Sequence, residues 1–161
     1  LSRIETQSEK AGFERVALRQ LLLRTSEVHA SAAEQAGMDF QMALPEGEMT
    51  VQGNEMQLER AVSNLLDNAV KFSAAGGWVK LTLSREEQSA CIRVEDCGIG
   101  IPSEDRGMLF NRFHRGRNSH GYPGSGLGLA IARAIVEKHH GEIGIGPAEE
   151  PTRFFVGLPL A

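Results

Sequence analysis

The stretch from Asn54 to Phe72 constrains this chain more than any other. Leu58, Ala61, Val62, Leu65, Leu66, Ala69 and Phe72 recur at i, i+3, i+4 and i+7 spacing, which predicts an amphipathic helix with one buried face. Asn54 stands where an N-cap belongs, and Gln57 follows three residues on, in capping-box position. A helix so one-sided needs an apolar layer to cover it. Val79, Leu81 and Leu83 alternate with polar residues as one strand, and Ile92 and Val94 as a second that ends at Asp96.

The rest of the chain extends this pattern. Leu1 to Lys10 reads as the end of a helix, with Leu1 and Ile4 on one face, followed by a hinge at Ala11-Gly12. It is too short to stand alone. A short strand is expected within Phe13 to Leu18. A helix is expected over Arg19 to Ala36, with Leu21, Thr25, Val28, Ala32 and Ala36 as its stripe and Gly37 as its stop. Met38, Phe40, Met42 and Leu44 predict a half-buried strand, and Thr50-Val51 a further short one. Residues 98 to 125 are rich in Gly, Arg, Asn and Ser, with room for one short helix around Ser103 to Phe110; so long a loop in a compact domain is usually functional. Leu127 to His140 returns to helical spacing through Leu127, Ile131, Ala134 and Ile135. Strands at Glu142 to Ile145 and Phe154 to Leu160 close the chain. The pattern is α+β, a mostly antiparallel sheet with helices on one face.

Composition narrows the function classes. With 161 residues, 41% hydrophobic and 24% charged, the chain fits one soluble globular domain. A net charge of −4 argues against nucleic acid as a partner. It also means that any phosphate site must rely on local donors or a metal. Cys91 and Cys97 form no C-x-x-C pair and read as reduced thiols of a cytosolic protein. No apolar run approaches the roughly 18 residues of a membrane span. The chain opens at Leu1 inside a helical pattern, so a longer parent is expected, in which a membrane anchor can precede it.

Three segments carry candidate chemistry. Asn64, Asn68 and Lys71 share one helix face beside the apolar stripe. A carboxamide oxygen is a hard, neutral ligand suited to Mg²⁺, and a lysine adds a mobile positive charge for phosphate. Read alone, the same face also fits plain solvation. Asp96-Cys97-Gly98-Ile99-Gly100 follows a strand directly. A carboxylate there can accept from an exocyclic amine, and the glycines let backbone approach a flat ligand; a simple turn is the alternative. Gly124-Ser125-Gly126-Leu127-Gly128-Leu129 opens a helix, where free N–H groups attract anions; a linker with a cap is the alternative. It is neither a P-loop, since no Gly-Lys-Ser/Thr follows, nor a dinucleotide fingerprint. Between the last two lies Phe110-Asn111-Arg112-Phe113-His114-Arg115, whose aromatics can pack inward while Arg112 or Arg115 meets phosphate. Arg117 reads as solvated.

In this order the elements resemble the histidine-kinase-like ATPase superfamily, and within it the sensor histidine kinases. The asparagine box is similar to Asn64-Leu65-Leu66-Asp67-Asn68-Ala69-Val70-Lys71-Phe72-Ser73, the first glycine box to Asp96 to Ile101, the phenylalanine box to Phe110 to Phe113, and the second glycine box to Gly124 to Leu129. The resemblance covers residues 13 to 161. It implies a two-layer α/β sandwich with an ATP lid at about residues 101–123, and it makes residues 1–12 the tail of a dimerisation helix with its hinge.

The resemblance also implies roles. Asn68 would be the Mg²⁺ ligand, with Asn64 as its polar neighbour, and Lys71 would contact phosphate. Asp96 would read the adenine amine, with Gly98, Gly100, Ile101 and Phe113 also at the ATP site and Thr152 near Asp96. Arg115 would reach the phosphates from the lid, and Gly124, Ser125, Gly126, Leu127 and Gly128 would wrap them. Asn68, Lys71 and Arg115 would be the catalytic residues, and ATP with Mg²⁺ the ligands. The implied reaction is γ-phosphoryl transfer to a histidine on a dimerisation domain, with a response regulator receiver domain as the next partner. Such a fragment is expected to be cytoplasmic and monomeric within a homodimeric parent, which an inner-membrane anchor can hold. Pro151 stands before Thr152 where the family usually has Gly, and Asn54 where it often has Asp. The family's acceptor histidine is followed by an acidic residue; His29, His114, His120, His139 and His140 lack that context and are expected on the surface or in loops. Without an acceptor, no autophosphorylation is expected. Two other readings stay open. One is a serine/threonine kinase or ATPase of the same superfamily, such as an anti-sigma-factor kinase; the other is a non-catalytic nucleotide-sensing or docking module.

Overall fold

The structure, a computed structural model, describes residues 13–72, 76–97, 128–146 and 152–161. The expected dimerisation tail (1–12), the short helix near Ser103 to Phe110, the phenylalanine box and most of both glycine boxes lie outside the described residues, as does the side chain of Phe72.

The elements run β1 (Glu14–Ala17), α1 (Leu18–Gln35), β2 (Asp39–Ala43), β3 (Thr50–Gly53), α2 (Glu55–Phe72), β4 (Trp78–Glu86), β5 (Ser89–Asp96), α3 (Gly128–Lys138), β6 (Glu142–Ile145) and β7 (Thr152–Pro159). The main sheet has five strands in the order β2-β4-β5-β7-β6, and β1 pairs with β3 in a small two-stranded sheet. β2 runs parallel to β4, and the other pairs are antiparallel. This mixed, mostly antiparallel sheet with helices on one face is the two-layer α/β sandwich that was expected.

Strand alternation builds the core in rows. Leu83, Ile92 and Val156 are register partners, and so are Leu81, Val94 and Phe154; all six are buried. From the helix layer α2 sends in Leu58, Ala61, Val62, Leu65, Leu66 and Ala69, every described member of its predicted stripe. Leu65 and Leu66 are 0% exposed, so each contributes on the order of 1.5–3 kcal/mol of burial.

Two other helices turn differently from their predicted stripes. In α1 the buried face is Leu18, Leu21, Leu22, Thr25, Ser26, His29 and Ala33, while Val28 is 72% exposed and Ala32 and Ala36 face solvent. Polar residues can occupy the inner face because each is satisfied there. The Thr25 hydroxyl donates to the Leu21 carbonyl at 2.8 Å, Ser26 donates to that of Leu23 at 2.9 Å, and His29 Nε2 bonds Ser63 Oγ at 2.9 Å. In α3 the buried residues are Leu129, Ala132, Ile135 and Val136, and Ala134 is exposed. Edge strand β2 is mostly exposed rather than half-buried, with Met42 44% exposed. Among the described residues no helix is long and apolar enough to cross a membrane.

Candidate nucleotide site

The site grows from one end of the core. The row beyond Leu81, Val94 and Phe154 is Val79, Asp96 and Thr152, again register partners across β4, β5 and β7. Asp96 is 4% exposed and Thr152 5%. The sheet thus ends its apolar rows by placing a carboxylate and a hydroxyl-bearing residue side by side on the face that the helices cover. Burying such groups is tolerated where polar partners satisfy them, so this row differs in kind from the apolar rows beside it. Beside it, the Trp78 N–H donates to Cys97 Sγ at 3.0 Å and ties the start of β4 to the end of β5. Cys91 and Cys97 are both free thiols. Burial, with the nearby Glu86 carboxylate, pushes the Cys91 thiol above its ordinary value.

The helix layer supplies the second part. Asn54 caps α2 by accepting the Gln57 N–H at its Oδ1, 3.0 Å away. α2 packs on β5 and carries Asn64, Asn68 and Lys71 along one face. Asn64 Nδ2 donates to the carbonyl of Gly128, the first residue of α3, at 3.1 Å. That bond joins the asparagine helix to the helix that the second glycine box opens. A Cβ at Gly128 would lie 3.9 Å from Asn64 Cβ and Cγ, so the helix start sits directly against this side chain. Asn68 is half-buried on the same face. Lys71 is exposed, and its Nζ pairs with Asp67 Oδ2 at 3.0 Å.

The structure therefore brings Asn64 to Gly128, and Asp96 to Thr152. Gly98, Gly100, Ile101, Phe113, Arg115, Gly124, Ser125, Gly126 and Leu127 lie outside the described residues. Sequence reasoning gave Asp67 no role, although its i, i+4 spacing to Lys71 signals the pair. Of the histidines expected on the surface or in loops, His29 lies within α1, and His139 lies in the turn after α3 but is buried. His29 is 8% exposed and His139 3%, each with polar partners inside the fold.

The donor set suits a magnesium-phosphate group better than an all-protein metal cage. Among the described residues no cluster of three or more His, Cys, Asp or Glu could hold a metal. Mg²⁺ usually keeps several waters and takes only one or two protein ligands besides phosphate oxygens, a demand that a half-buried carboxamide such as Asn68 can meet. A cavity of about 370 Å³ lined by Phe13, Gln52, His139, His140, Leu160 and Ala161 shares none of these residues.

Comparison with known proteins agrees with this geometry. The sequence pattern described as "Histidine kinase-, DNA gyrase B-, and HSP90-like ATPase" matches residues 53–161. The sensor histidine kinase RppB of Synechocystis is 38% identical over 163 residues, covering 99% of this chain and 36% of that protein. A solved structure of the mycobacterial sensor histidine kinase MprB is 33% identical and superposes with a TM-score of 0.83, covering 91% of this chain and 98% of that one. Full-length ShkA in complex with AMPPNP is 28% identical, with a TM-score of 0.80, covering 92% of this chain and 31% of that one. The chain spans 36%, 24% and 22% of the lengths of three curated relatives it matches. The family pattern over the site, together with a fold shared almost end to end with a sensor kinase domain, shows that the chain belongs to the histidine kinase-, DNA gyrase B- and HSP90-like ATPases, as an ATP-binding catalytic domain of the sensor histidine kinase type.

Proposed function

We propose that this domain binds Mg-ATP and passes its γ-phosphoryl group to a histidine nitrogen on a dimerisation domain of the parent protein. The observation that carries the reading is the Asn64 to Gly128 hydrogen bond, which sets the asparagine face against the start of the glycine-box helix. An anion is favoured at such a helix start by its free N–H groups.

In this reading Asp96 accepts from the adenine amine, with Thr152 beside it on β7. Gly98, Gly100, Ile101 and Phe113 complete the base pocket, and residues Gly124 to Gly128 wrap the phosphates. Asn68 would hold Mg²⁺, which would supply charge neutralisation on the phosphate oxygens. Lys71, paired with Asp67 in the structure, would contact phosphate, and Arg115 would reach the phosphates as well. The acceptor imidazole attacks phosphorus through its unprotonated nitrogen. The bond from phosphorus to the β–γ bridging oxygen breaks, ADP leaves, and the ring proton on the other nitrogen is released. Catalysis is then positioning and charge stabilisation, and the domain needs no strong base of its own. The cytoplasm, where ATP is available, is the place of action, and a receiver domain is the next recipient of the phosphoryl group.

The test is phosphoryl transfer with γ-labelled ATP. Label is expected on an added dimerisation domain of the parent, in acid-labile form, and not on this chain. Stable label on this chain, or acid-stable label on the added domain, would contradict the reading.

A further inference from the structure

His139 follows α3 and is 3% exposed. The Asn54 N–H points to its Nε2 at 3.0 Å, and its Nδ1 lies 2.8 Å from the Ile135 carbonyl. A backbone N–H can only donate and a carbonyl can only accept, so Nδ1 carries the proton and Nε2 is the acceptor. The partners on both sides therefore select one neutral tautomer.

Three further features converge on this ring. Phe13 stacks on it, with centroids 4.6 Å apart and planes 17° off parallel. Gly53 leaves it room, since a Cβ there would come within 2.6 Å of His139 Cδ2 and 2.9 Å of Nε2. In a complete capping box the Asn54 N–H would go to the side chain of Gln57. Here His139 has taken that donor, and Gln57 Oε1 is buried without a hydrogen-bond partner among the described residues.

α3 is thus tied to α2 twice. Its first residue, Gly128, accepts from Asn64; just past its last, His139 accepts from Asn54. Asn54 to Asn64 rises about 15 Å along a helix, and Gly128 to His139 about 16.5 Å. The two helices lie antiparallel, with the ties at opposite ends of α3 and at the start and middle of α2, matched in span. Sliding of α3 along α2 would break both.

We propose that His139 is a positioning residue for the nucleotide site: by accepting the Asn54 N–H it fixes the register of α3 on α2, and so the place of Gly128 at Asn64. This inference rests on the nucleotide reading of that site. It makes the far end of α3 part of what aligns the start of that helix at Gly128.

The test uses H139F, which keeps a ring for Phe13 but has no acceptor, and H139Q, which keeps an acceptor near the Nε2 position. Affinity for Mg-AMPPNP is measured by calorimetry below the unfolding range of each variant, and the Asn64 side-chain amide is followed by NMR. H139F is expected to raise Kd about fivefold and to shift the Asn64 resonance, with both recovered in H139Q. A lowered Tm with unchanged Kd and an unmoved Asn64 resonance would make His139 only a stabilising residue and overturn the proposal. Wild-type protein that fails to bind AMPPNP would refute the nucleotide reading instead; the Asn64 resonance would still judge the register. Should H139F not fold, the imidazole nitrogen shifts of wild-type protein decide. Protonation at Nδ1 supports the proposal, and protonation at Nε2 overturns it.

Discussion

Asn64 on α2 gives its side-chain amide to the main-chain carbonyl of Gly128 at the first residue of α3, 3.1 Å away. The bond links two segments 64 residues apart in sequence, each of which reads as ordinary by itself. Asn64→Ala leaves the Gly128 carbonyl without this donor. A loss of about 1 kcal/mol is expected, seen as a Tm lower by about 2–4 °C, together with weaker Mg-AMPPNP binding. Thermal melts and calorimetry on the same samples check both. A lower Tm with full affinity would separate the bond from the nucleotide site.

Asp96 occupies a buried row position beside Thr152, where an ionised carboxylate would offer acceptors only. Recognition of an amine at that point should discriminate against a base that presents a carbonyl there. Wild-type protein is expected to bind ATP well above inosine triphosphate. Asp96→Ala should lower ATP affinity by about 10–100-fold and largely erase that preference. Competition titrations with the two nucleotides read this directly.

Lys71 and Asp67 form an exposed pair on one helix face, with side chains 37% and 52% accessible. Such pairs are worth about 0.3–0.5 kcal/mol, so Asp67→Asn should leave Tm nearly unchanged. If Lys71 serves phosphate, freeing it should not weaken nucleotide binding, whereas Lys71→Ala should lower phosphotransfer without a matching loss of stability. Transfer rates with an added acceptor domain, set beside melting curves, distinguish the two variants.

Both buried histidines predict an acid-sensitive fold. Burial lowers the pKa of His29 from its ordinary 6.5, partly opposed by the Asp67 carboxylate. Burial also lowers that of His139; its bond to the Ile135 carbonyl opposes the shift, and the charges of Lys138 and His140 add to it. A histidine whose folded pKa lies below its unfolded value binds fewer protons in the native state. Its stabilising contribution is complete above about 6.5 and is lost as pH falls from there toward the folded pKa. Tm should therefore hold from pH 7.5 to about 6.5 and begin to fall as pH drops below about 6.5, before most carboxylates titrate. A Tm that stays flat as pH falls through the unit below about 6.5 would contradict the buried, neutral assignment of both rings.

What the sequence disclosed follows from the range of the forces involved. α2 was legible because Leu58 to Ala69 obey a local period, and the inner rows of β4 and β5 because Val79, Leu81, Leu83, Ile92 and Val94 alternate. The order β2-β4-β5-β7-β6 was not, because strand pairing is set by contacts far apart in sequence. The inner face of α1 was misjudged at Val28 because a hydrophobic stripe cannot foresee that Thr25, Ser26 and His29 find partners inside. The capping box at Asn54 and Gln57 failed for a similar reason. Its second half lost the Asn54 N–H to His139, 85 residues away. At the candidate site, the adjacency of Asp96 and Thr152 was suggested by family resemblance, and the ladder register supplies its geometry.

Asn68 holds the central place in this reading, as the protein's ligand to the magnesium that accompanies ATP. The most direct test is calorimetric titration of Mg-ATP into wild-type protein, Asn68→Ala and Asp96→Ala, each repeated with a chelator in place of Mg²⁺. Wild-type protein should bind in a Mg²⁺-dependent manner. Asn68→Ala should weaken binding by about tenfold or more and lose most of the Mg²⁺ dependence, while Asp96→Ala weakens binding but keeps that dependence. Wild-type affinity retained in both variants would contradict the assignment of this site.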